Sequence, residues 1–67
     1  MKAPWNDYLD KEINEGDTIL QPSGQKGIVV YHEDREEPTD AWCVKYDDKI
    51  ESRLCLQICD SGMCIVV

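Results

Sequence analysis

From Asp17 onward, apolar residues fall on alternate positions in short runs, and each run ends in residues that turn the chain. A period of two is the period of a β-strand, and runs this short leave no room for long helices. Strands are expected over residues 17–21, 26–31, 41–46, about 50–58 and 63–67. Pro22, Ser23 and Gly24 supply the first turn, Asp47 and Asp48 a two-residue hairpin turn, and Asp60, Ser61 and Gly62 the last. Residues 32–40 form a longer polar connection. Trp42, Val44 and Tyr46 share one strand face, and Ile50, Leu54, Leu56 and Ile58 share a parity on the next run.

Five short strands in a flat sheet would leave two open edges and one face without a partner. A mainly β, five-stranded small barrel is therefore the expected architecture. The first fifteen residues follow a different period. Trp5, Tyr8, Leu9 and Ile13 recur at helical spacing, Asn6 or Asp7 is placed to cap a helix, and Gly16 to end it. The domain is thus expected to consist of a short N-terminal helix or extended segment, residues 1–15, followed by the barrel, residues 16–67. The apolar stripe either closes one end of that barrel or docks a partner.

The segment Glu15-Gly16-Asp17-Thr18-Ile19-Leu20, followed by Gly24-Gln25-Lys26-Gly27-Ile28-Val29, resembles a KOW-type element. The resemblance covers about fifteen residues and rests on Gly16-Asp17 entering a strand, a turn Gly24, and Gly27 before an alternating apolar strand. It implies the first hairpin of an SH3-like barrel, an architecture shared with Tudor-like modules. It also implies contact with RNA or protein through basic and aromatic loop residues.

Charge opposes the nucleic-acid half of that implication. Fourteen acidic residues face seven basic ones, for a net charge of −7. Phosphate backbones are bound by clustered Lys and Arg. Here the turn between the first two strands carries one Lys, and Tyr31, Trp42 and Tyr46 have Glu33, Asp34, Asp40, Asp47 and Asp48 as neighbours. Direct nucleic-acid binding is not expected, and a protein with a basic surface is the expected partner.

A chain of 67 residues buries only about 60% of the surface its unfolded form exposes, so small domains of this kind often need a staple. Four cysteines, Cys43, Cys55, Cys59 and Cys64, are the candidates for one. Their spacing lacks the C-x-x-C knuckle of common zinc ribbons. Strand parity nevertheless sets Cys43, Cys55 and Cys59 opposite the core residues, where three thiols with His32 or Cys64 form a candidate zinc site. Ordinary reduced thiols and disulfides are the other two states open to them. No apolar run resembles a signal peptide or spans a bilayer, so a cytoplasmic, non-membrane location is expected.

No catalytic motif is present, and enzymatic activity is not expected. His32, the sole histidine, sits beside Glu33 and Asp34, but no nucleophile is positioned near it by a known pattern. Residues 33–40 lack the ligand order of a calcium loop and read as a solvated charged loop. The function expected from the sequence is that of a protein-interaction module, of the kind small bacterial or prophage genes encode. Its acidic and aromatic surface would comprise Tyr31, Glu33, Asp34, Glu36, Glu37, Trp42 and Tyr46. The alternatives are a Cys-ligated metal-binding domain and a KOW-like RNA-binding module.

Overall fold

The computed structural model describes residues 1–67. It is mainly β, with two sheets and two single-turn helices. β1 (Lys2–Asn6) and β2 (Glu12–Asn14) form an antiparallel pair. β3 (Thr18–Leu20), β4 (Lys26–Tyr31), β5 (Trp42–Lys45), β6 (Glu51–Arg53) and β7 (Ile65–Val66) form an antiparallel sheet in the order β6-β5-β4-β3-β7. All five strands lie within the expected runs: β4 keeps the expected bounds, β3, β5 and β7 are shorter, and β6 occupies only the first part of the run 50–58. β6 and β7 lie at opposite edges of the sheet and do not pair with one another, so hydrogen bonding does not close it.

The N-terminal segment is not a helix. Its two strands turn around Asp7, whose Oδ1 accepts the backbone N–H groups of Leu9 and Lys11 at 2.9 and 2.7 Å. An Asp side chain that takes up backbone donors this way offers the chain a turn in place of a helix. Ala3 and Ile13 then face the core, while Tyr8 and Leu9 stand exposed at the tip, opposite to what a shared helical face requires. Of the four residues at helical spacing, only Ile13 is fully buried.

The run 50–58 is also not one strand. β6 ends at Arg53, and α2 (Leu54–Gln57) follows, with Ile58 N–H bonded to the Leu54 carbonyl at 3.2 Å. Leu54 and Ile58 are buried four residues apart, whereas Leu56 is exposed. A helical turn puts residues i and i+4 on one face, and a strand would have put Leu56 there as well. The polar connection likewise contains a helical turn, α1 (Pro38–Ala41), started by a proline at its first position and delivering Ala41 to the core.

The core lies between the inner face of the sheet, the N-terminal hairpin and α2. Ile19, Val29, Trp42 and Val44 supply the sheet side, and Ala3, Ile13, Leu54, Ile58 and Cys64 close it. Gly27 permits this packing: a Cβ there would lie 2.5 Å from Val44 Cγ1 and 2.7 Å from the Tyr46 ring. Gly62 is required by an even closer approach, its Cβ direction being filled by the Gln57 carbonyl oxygen at 2.2 Å.

Candidate functional site

Strand register determines which side chains share the outer face of the sheet. Val30 pairs with Cys43 and Cys43 with Arg53, while Ile28 pairs with Lys45 and Lys45 with Glu51. Val29, Trp42 and Val44 point to the core, so Val30, Cys43, Glu51 and Arg53 point away from it. His32, one residue past β4 and held by its N–H to the Ala41 carbonyl, continues the parity of Val30.

Cys43 is on the outer face yet buried, at 4% exposure. Chain 33–41 folds back over it. The Cys43 thiol donates to the Asp40 carbonyl at 3.3 Å, and the Arg35 guanidinium approaches the sulfur at 3.7 Å while donating to that same carbonyl at 2.9 Å. Arg53 closes the rim through a 2.7 Å ion pair with Asp40. A shallow depression results, lined by Arg35, Glu36, Glu37, Asp40, Cys43, Glu51 and Arg53.

At its edge, His32 Nε2 contacts Glu51 Oε1 directly. His32, Cys43 and Glu51 offer a nitrogen, a sulfur and an oxygen that all lie within 4.8 Å of one another. The His32 hydrogen bond holds the Glu51 carboxyl below its ordinary pKa, while burial, followed by Glu51, pushes the Cys43 thiol up. A buried thiol kept protonated is a poor nucleophile.

The four cysteines do not come together. Cys64 is buried in the core, with the Tyr46 hydroxyl 4.0 Å from its sulfur. Cys55 is half-buried on α2, and Cys59 is exposed after it. All four are free thiols, and no metal-capable group of three or more contains more than one of them. The expected parity of Cys55 and Cys59 was that of a strand, and α2 replaces that strand. Both border a second depression, against Pro4, Trp5, Asn6, Asp7 and Asp10 of the N-terminal hairpin.

The expected aromatic surface needs a similar correction. Trp42 is a core residue at 3% exposure. Tyr31 is half-buried and stacks on it, the ring centroids 4.9 Å apart and tilted by 53°. Tyr46 is half-buried as well, and its hydroxyl donates to Gln57 Oε1 at 2.6 Å. Burial raises its phenol pKa. A strand with alternating aromatics has one wet face and one dry face, and composition does not say which face they occupy. The acidic members of the expected surface, Glu33, Asp34, Glu36 and Glu37, are exposed. Glu51 sits in a hairpin with neither a motif nor a histidine nearby in sequence; the pairing of β4 with β5 and of β5 with β6 brings it to His32.

Comparison with protein-family models, with curated proteins and with solved structures finds no match to this chain. No helix is long and apolar enough to cross a membrane.

Proposed function

We propose that this chain is a small SH3-like binding module, KOW-like in its first hairpin, that engages a basic protein surface through the acidic loop 33–37. The observation that carries this is the direction of charge in that loop. Its four carboxylates are exposed, while its one base, Arg35, donates to the Asp40 carbonyl and the Cys43 sulfur. The neighbouring Arg53 is paired with Asp40. Arg35 is itself exposed, but four carboxylates against one base leave loop 33–37 with an excess of three negative charges, so the field it projects is negative. Such a field steers and selects a partner of opposite sign and repels phosphate backbones.

The SH3-like assignment is supported by the order β6-β5-β4-β3-β7, with antiparallel neighbours and a helical turn before the last strand.

The test compares the tagged chain with a variant carrying Glu33→Gln, Asp34→Asn, Glu36→Gln and Glu37→Gln. Capture from the native host at low and high salt, read by mass spectrometry, is expected to yield a basic protein that the variant fails to retain. Surface substitutions of this kind change stability by no more than about 0.5 kcal/mol, so loss of capture would report the surface itself. Equal capture by both proteins at low salt would overturn the proposal, as would retention of an RNA or DNA oligonucleotide by the unmodified chain.

A further inference from the structure

We propose that His32, Cys43 and Glu51 form a zinc site on the outer face of the sheet, with Nε2, Sγ and a carboxylate oxygen as the three protein ligands. The proposal does not rest on the acidic loop's having a protein partner.

The donor set selects the metal. Imidazole and thiolate suit zinc and other borderline or soft ions, whereas calcium and magnesium take oxygen ligands. Two anionic ligands and one neutral imidazole balance the charge of a divalent ion. The site is built from three neighbouring strands: His32 follows β4, Cys43 lies on β5 and Glu51 begins β6. Tetrahedral zinc, with bonds near 2.0–2.3 Å, sets its ligand atoms about 3.3–3.6 Å apart. The three atoms already lie inside a 4.8 Å envelope. Seating the ion therefore asks His32 and Glu51 to separate and to turn toward the fixed sulfur.

The flexible and the rigid parts are arranged accordingly. Side chains of His32 and Glu51 are 29% and 34% exposed, so they can open to admit an ion from solvent. Cys43 is fixed in its strand and buried beneath the loop. Arg35 stands 3.7 Å from the sulfur, where its N–H can support a metal-bound thiolate as an outer-shell donor. Three protein ligands leave a fourth position for water, the arrangement of an open zinc site. Bound zinc would also tie the edge strand β6 to β4 across β5, a staple suited to a domain with so thin a core.

The test uses the whole reduced chain, stripped with a chelator and titrated with zinc against a chromophoric competitor, and in parallel with cobalt as a spectroscopic probe. One equivalent should bind, with a thiolate-to-cobalt charge-transfer band. His32→Ala and Glu51→Gln should each weaken zinc binding by about tenfold or more, and Cys43→Ser should abolish the band. Cys55→Ser and Cys59→Ser should change neither. The partial exposure of His32 and Glu51 lets their variants keep the fold, which far-ultraviolet circular dichroism verifies. Absence of the band in the unmodified chain would overturn the site. So would a band that survives Cys43→Ser, or binding lost on Cys59→Ser and indifferent to His32→Ala and Glu51→Gln.

Discussion

The Asp7 carboxylate accepts the backbone N–H of Val66 at 2.8 Å, joining residues 59 positions apart in the chain. Its other oxygen closes the β1–β2 turn through Leu9 and Lys11, and the residue is only 6% exposed. One side chain thus shapes the N-terminal hairpin and fastens it to the edge strand β7. Asp7→Ala would leave three backbone donors without their acceptor, at a cost of about 2–4 kcal/mol. Urea unfolding should show that loss, and hydrogen exchange at the Val66 amide should accelerate more than at the Val29 amide in the sheet centre. Asp7→Asn, which keeps an acceptor oxygen, should fall between the two.

Gly27 and Gly62 both lack space for a side chain, but their neighbours differ in what can yield. At Gly27 the obstacles are side-chain atoms of Val44 and Tyr46. Gly27→Ala should therefore cost about 1–3 kcal/mol, the range of overpacked cores. At Gly62 the obstacles are the carbonyl oxygens of Leu56 and Gln57 at 2.5 and 2.2 Å. Backbone must move there, and the Cys64 N–H bond to Gln57 O would be disturbed with it. Thermal unfolding should rank Gly62→Ala below Gly27→Ala.

How much of this was legible follows from which forces act locally. Alternation in the runs 26–31 and 41–46 identified the two central strands, because a sheet buried on one face imposes its period on the residues it contains. Failures came where a side chain overrode the pattern. Asp7 turned a helical spacing into a hairpin, and the four-residue step from Leu54 to Ile58 bent a strand-like run into α2. His32, Cys43 and Glu51 are separated by loops whose return path no local rule specifies, so their convergence depended on register across β4, β5 and β6. Cys43 was placed on the outer side by parity, but its burial came from chain 33–41 folding over it.

Trp42 distinguishes a core role from a binding role. Removing a buried Trp costs about 3–5 kcal/mol, and a chain of 67 residues holds only about 3–10 kcal/mol in total. Trp42→Ala should thus lose about a third or more of the total stability, seen as a much lower midpoint in urea or thermal unfolding. A folded Trp42→Ala protein with a normal midpoint would place the indole outside the core.

Cys59 and Cys64 should differ in reactivity, in directions set by their surroundings. Cys59 is exposed and lies 3.0 Å from the Ser61 hydroxyl. Hydrogen bonds from Ser61 and from the backbone at Gly62 and Ser61 favour its thiolate and lower its pKa. Cys64 is buried, and burial raises its pKa. The thiolate is the reactive form, so alkylation of Cys59 should rise at a lower pH than that of an ordinary thiol. Cys64 should stay unmodified in the folded protein until a higher pH or until denaturant is added. Iodoacetamide labelling across a pH series, mapped by peptide mass spectrometry, measures both. Ser61→Ala removes the leading stabiliser of the Cys59 thiolate, and should shift the Cys59 labelling profile to higher pH while leaving that of Cys64 in place. A Cys59 profile that does not move would show that the Ser61 hydroxyl is not what favours the thiolate.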